Sequence, residues 1–318
     1  MKKKLLNILA CLSIILIGAF ALVGCGDDPA DPHTHNYNKV EYTIEQGKAY
    51  KVTTCGCNDF KKEEVVGAII ATPETIENIL NETNNATIVL SAGVYENEVM
   101  WFKSYNTPTE NLNIVGVKGA EVEEIYASVH DGGKITNLYI SNIKFTGLGV
   151  HSNHTEIDGL TVENCEFIGL AGVGFGNVKV KNIVVKNCTF DFSNEAVETQ
   201  TAVYFNEAVE NFTVENCTFK NIPYNAIQAN VVVTGKIIIK NNKFVETGSR
   251  VIYLNGITNV ENVELEIELN NFCTPTTPKS DGNFVKAGTE IEISKNNTWN
   301  IESGKAENYY FSGAYIAD

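Results

Sequence analysis

Two histidines and two cysteines, in "HTHN" at His33–Asn36 and "CGC" at Cys55–Cys57, are residue types that hold soft divalent metals. Between them "NKVEYTI" and "AYKVTT" alternate as strands around "EQG". A three-residue loop, Glu45-Gln46-Gly47 with glycine last, suits a hairpin closed by a bulge. That register sets His35 opposite Cys57, with His33 and Cys55 two residues away on the same side. Zinc held by His33, His35, Cys55 and Cys57 is one outcome; a Cys55–Cys57 disulfide and two free thiols are the others. A slip of one residue would send the cysteines to the opposite face. The hairpin module is assigned to residues 33–60.

A second set of candidates recurs along the chain. "GVHSN", "VGFGN", "AVYFN", "AIQAN" and "VIYLN" end at Asn153, Asn177, Asn206, Asn230 and Asn255, and "EIYAS" and "FVKAG" fit the same frame. Residues one and three before each end are mostly apolar or small and should point inward, so the residue between them points outward. The outward column then reads Tyr126, His151, Phe175, Tyr204, Gln228, Tyr253 and Lys286. Exposed rings on a flat sheet need a cover. Sugar rings, with an apolar C–H face and a polar rim, suit such a surface; flanking loops or the C-terminal tail would serve equally.

Candidates for catalysis are fewer. His151 lies on the column, and "VHSNHTEIDG" adds His154, Glu156 and Asp158, so a general base or a metal ligand is one reading and plain surface the other. Arg250, the only arginine in the chain, precedes Tyr253 by three positions. The loop "DFSNEAVETQ" carries Asp191, Glu195 and Glu198, and two carboxylates about 5–10 Å apart can hydrolyse a glycosidic bond. Acids in a loop are more often solvated surface.

The elements that must position these residues come from a repeat. "YISNIKF", "TVENCEF", "VVKNCTF", "TVENCTF" and "IIKNNKF" hold Asn142, Asn164, Asn187, Asn216 and Asn241, and looser copies hold Asn270 and Asn296, at intervals of 22 to 29 residues. Apolar residues alternate before each asparagine, which is strand periodicity, and no unit carries a helical pattern. Rungs of that length coil as a parallel β-solenoid. The asparagines are expected to stack as an amide ladder at the strand spacing of about 4.8 Å, with the aromatic three residues later inside. Cys165, Cys188 and Cys217 form a column of small buried groups, with disulfides along it the minority reading.

On these motifs the chain resembles the right-handed parallel β-helix of the pectin-lyase-like superfamily over about residues 65–300. "TPETIENILNETNNATIVLSAGVY" resembles that family's cap helix, first strand and "G-x-Y" turn. Pro73 at the helix start and Glu74 and Glu77 in its first turn fit an N-terminus. The resemblance implies a polysaccharide groove on the sheet that carries the column. It also implies, for lyases, an Arg or Lys base, often with calcium held by clustered acids; here Arg250 and Lys286 have no tight aspartate cluster beside them. The Gly-His-Gly and Arg-x-Lys motifs of the family's hydrolases do not occur.

The N-terminus has another origin. "MKKK", a long uncharged apolar run and "LVGC" ending at Cys25 read as a secretory signal peptide. The segment resembles the lipobox of bacterial lipoproteins, which implies loss of residues 1–24, acylation of Cys25 and a polar tether over 25–32; an uncleaved transmembrane anchor is the other reading. The β-helix domain is assigned to residues 61–318. The formal charge of −15 deepens by three with loss of Lys2, Lys3 and Lys4, and such a surface repels nucleic acid. Three functions follow: an envelope-anchored glycan-binding module, a polysaccharide lyase or glycoside hydrolase, and a structural or adhesive spacer.

Overall fold

The structure is a computed structural model and describes residues 35–57, 59–96, 109–127, 133–170, 172–193, 200–273, 283–300 and 311–316. Cys25, His33, Glu195 and Glu198 lie outside the described residues.

The chain is an all-β parallel solenoid carrying a small antiparallel sheet at its N-terminal end. Each central rung makes three strands. The first lies in a nine-stranded parallel back sheet. The other two lie in a fifteen-stranded sheet, which is two stacks joined through Ala120–Tyr126 and Lys144–Ser152. One of these, the aromatic stack, runs through Glu166–Ile168, Thr189–Asp191, Thr218–Lys220, Lys243–Val245, Asn271–Cys273 and Thr298–Asn300. The other, the site stack, runs through Gly172–Phe175, Val203–Phe205, Ile227–Ala229, Arg250–Leu254 and Asn283–Ile293.

The repeat places one aromatic of each copy in the interior. Phe145, Phe167, Phe190, Phe219, Phe244, Phe272 and Trp299 form a continuous pile with centroid spacings of 4.4 to 5.1 Å. Each stacked pair adds about 0.5–1.5 kcal/mol beyond simple burial. The pile also fixes which residue of a rung meets its neighbour, because a slip would leave a ring without a partner.

The motif asparagines do different work from the amide ladder expected of them. Asn142, Asn164, Asn187, Asn216 and Asn241 all have φ between 54° and 56°. They turn the corner between back sheet and aromatic stack in the left-handed region, which asparagine tolerates better than branched residues. Their side chains do not bond one another: Asn142 donates to Ser141 and Asn187 to Glu163. The recurring asparagine therefore serves the backbone.

Amide ladders form elsewhere. One runs along the back sheet, where Asn111 donates to Asn85 and Asn137 to Asn111, both at 2.9 Å. Gly159 then interrupts it, and Asp158 substitutes as acceptor for Asn182 at 2.8 Å, with Asn211 continuing onto Asn182. A second ladder is buried. Cys165, Cys188 and Cys217 are free and buried, as their apolar reading expects. Asn242, Asn270 and Asn297 continue their column, each accepting the backbone N–H of the residue before it: Cys217, Asn242 and Asn270. So Asn270 is an interior residue, and Leu269 takes the left-handed corner in that rung with φ 55°. The frame of the looser copies shifts by one residue there.

Strands β1 (Tyr37–Glu45), β2 (Lys48–Cys55) and β3 (Phe60–Glu64) form the N-terminal sheet. The third strand extends the module past the hairpin read from the sequence. Tyr42 and Ala49 pack with Val89, Val115 and Val117, so the module seats on the outer side of the back sheet. Helix α1 (Ile76–Glu82) buries Ile76 and Leu80 in the solenoid core. Glu77 sits in its first turn, whereas Pro73 and Glu74 belong to the preceding turn.

Candidate functional site

The register of the site stack builds an outward column by backbone pairing alone. Tyr126 pairs with His151, His151 with Gly174, Gly174 with Tyr204, Tyr204 with Gln228, Gln228 with Tyr253 and Tyr253 with Lys286. Six of the seven residues expected on this column are there. The exception is Phe175, which is fully buried and stacks on Phe205 at 5.4 Å. Its rung carries one extra residue before Asn177, so Val173 and Phe175 face inward and Gly174 faces out. The signal for this was present: two large apolar residues flank Gly174, and burying both outweighs keeping the asparagine frame.

That glycine shapes the site. The phenol of Tyr204 leans across Gly174 and occupies the space a Cβ would need. Burial there pushes the Tyr204 phenol pKa up. Around the pair lies a hollow of about 460 Å³, lined among others by His151, Asn153, Gln200, Tyr224 and Gln228. Asn225 donates to Gln228 Oε1 at 2.6 Å and so fixes its amide, leaving the NH₂ end as donor.

At one end of the column His151 Nε2 stands 3.1 Å from Glu124 Oε1, both side chains being less than one-fifth exposed. The imidazole lies against Tyr126 at 4.7 Å between centroids. Tyr126 is in register but buried, at 7% exposure, so its ring supports His151 and is closed to a ligand. Glu124 was not read from the sequence; it shares the outward face of its strand with Tyr126, two residues on.

At the other end two cations share one ring. Arg250 Cζ lies 4.6 Å from the Tyr253 centroid and Lys286 Nζ 5.9 Å from it. Arg250 Nη1 donates to Tyr224 Oη at 3.3 Å, which brings Tyr224 into the site as well. The described part of the C-terminal tail, Ser312–Ile316, adds a strand beside Lys286.

The remaining acids are elsewhere. Asp191 is on the aromatic stack, where Asn221 donates to it at 2.9 Å and Ser193 N–H at 3.2 Å. Burial raises its carboxyl pKa, but those hydrogen bonds prevail and hold it below the usual range. Glu156 and Asp158 are on the back sheet beside Lys134. His154 is exposed.

In the N-terminal module the hairpin closes through a two-residue turn. Gln46 and Gly47 both have positive φ, 51° and 75°, and Glu45 pairs with Lys48. The expected bulge lies instead between Tyr37 and Lys39. The two differences cancel, and His35 still meets Cys57: its Nδ1 is 3.1 Å from Cys57 Sγ and 3.6 Å from Cys55 Sγ. Cys55 and Cys57 are joined as a disulfide. The three ligand atoms lie within 4.8 Å of one another, a grouping that could hold a metal were the sulfurs free.

A family model described as "Right handed beta helix region" matches residues 99–231. Among solved structures the chain is similar to the tailspike protein gp49 from Acinetobacter baumannii bacteriophage Fri1, a capsular polysaccharide depolymerase. Identity is 10% over 89% of this chain and 72% of that one, with a TM-score of 0.25, and no activity is carried over from it. No curated protein matches the chain.

Proposed function

We propose that this protein binds glycan along the site stack without turning it over. The observation that carries the reading is the in-register line of His151, Tyr204, Gln228, Tyr253 and Lys286 beside the polar hollow over Gly174. Tyr204 and Tyr253 are half-buried, offering ring surface to sugar C–H groups, while His151, Gln228 and Asn153 offer hydrogen bonds at the rim. A glycan array on the mature protein, with turnover assays on every hit, tests the reading. An array without hits overturns it, and so does product release from a hit.

One observation favours a second reading. The Glu124–His151 pair has the geometry of an oriented base. If a hit is cleaved, His151→Ala and Glu124→Gln should both abolish cleavage.

The chain is exported and held at the envelope surface through a lipid on Cys25, on the reading of its N-terminal segment. Metabolic labelling with a fatty-acid probe, lost in Cys25→Ser, is the expected result; equal labelling of the variant overturns it.

A further inference from the structure

We propose that His35, Cys55 and Cys57 form a redox-gated site for a soft divalent cation of the zinc type, closed as the disulfide and opened by a dithiol reductant. The inference is independent of the glycan reading.

The geometry is that of a site lacking one change. In tetrahedral zinc coordination, bonds of about 2.3 Å to sulfur and about 2.0–2.1 Å to imidazole nitrogen set ligand edges of about 3.6 Å from nitrogen to sulfur. The two His35–cysteine separations, 3.1 and 3.6 Å, already lie near that edge. Only the sulfurs, held at bonding distance, must part. The chain permits this. Gly56 between them has no atom within 4 Å of the place a Cβ would take. Cys55 is buried and anchored by its N–H to Asp59 O at 2.9 Å, whereas Cys57 is exposed and is the one to move. Asp59 Oδ2, 3.6 Å from His35 Nδ1, accepts a hydrogen bond from the Tyr37 hydroxyl and is outside the three-atom group, so water completes the coordination. Hard cations prefer oxygen donors, so two thiolates and an imidazole select zinc-like ions.

The step balances. A dithiol gives two electrons and two protons to the S–S bond and is itself oxidised to a disulfide. The divalent cation then displaces the two thiol protons, because thiolate is the ligand form. A disulfide oxidant takes two electrons from the two metal-bound thiolates and two protons from water, leaving as a dithiol; the Cys55–Cys57 bond re-forms and the cation is released. In an exported protein the disulfide is the resting form, so the site reports local reduction.

The test uses the full chain, reduced with a phosphine under argon or left oxidised, and titrated with cobalt(II) alone and then zinc(II) alone. Peptide mass spectrometry after alkylation confirms which cysteines are free. The expected result is one cobalt per reduced chain with thiolate-to-cobalt charge-transfer absorption, displaced by zinc and lost on reoxidation. The absorption falls in Cys57→Ser, which keeps one thiolate, and its visible bands shift in His35→Ala. Four outcomes overturn the proposal. These are no charge-transfer absorption in the reduced protein, equal binding by the oxidised protein, an undiminished band in Cys57→Ser, and a disulfide that reduces only when the β-sheet circular dichroism is lost.

Discussion

Tyr204 lies over Gly174 on the neighbouring strand, its ring filling the volume that any larger residue at position 174 would claim. The pair sets both the floor and one wall of the hollow on the site stack.

Gly174→Ala should therefore swing Tyr204 off the strand. The overpacking costs about 1–3 kcal/mol in denaturant unfolding, and glycan binding should fall with it. A variant that binds as before would show that the placement of this ring is irrelevant to the ligand.

Tyr204→Ala and Tyr253→Ala should each weaken a glycan hit by about tenfold, the equivalent of about 1.4 kcal/mol. Both rings are partly buried, so each truncation also costs stability, and affinity is compared at a temperature where both variants remain folded. Calorimetric titration of a hit reads both variants, and unchanged affinity in the two removes the column from the binding surface.

Asn270→Ala should destabilise the solenoid by about 2–4 kcal/mol, because it strands buried partners on both sides. The N–H of Asn242 loses its acceptor at 3.0 Å and Ile239 O loses its donor at 2.8 Å. Asn216→Gly, at an exposed left-handed corner, should stay within about 0.5 kcal/mol of the parent. Urea unfolding compares the two, and equal effects would contradict the separation of corner asparagines from ladder asparagines.

Asp158 links stability to pH. The hydrogen bond from Asn182, and then that from Lys134, hold its carboxyl below the usual carboxylate range. A depressed folded pKa contributes stability that is present above the unfolded value of about 3.9 and is lost as pH falls through the folded value. Stability should thus decline on acidification below about pH 4 to 5, and Asp158→Asn should flatten that part of the profile. An unaltered acid limb in the variant would mean that other carboxylates carry it.

The solenoid was legible because its cause is local and repeated. Alternating apolar residues such as Ile183 and Val185 mark a strand with one buried face, and Phe190 three residues after Asn187 marks the pile inside. Positions separated by two residues must share a face, so Tyr204, Gln228 and Tyr253 could be placed outward from the sequence. The His35–Cys57 encounter was legible too, though by two differences that cancel.

Tertiary structure decided the rest, because side-chain period constrains the face but leaves the offset between rungs free. Rungs of unequal length let one extra residue turn Phe175 inward and set Gly174 beneath Tyr204. The same freedom moved Asn270 from a corner to the interior. Asparagine itself is ambiguous in sequence, since it serves a left-handed backbone turn as readily as an amide ladder. Contacts between rungs, such as Glu124 with His151 and Arg250 with Tyr224, depend on which strands lie side by side. Only coiling the chain brings them together.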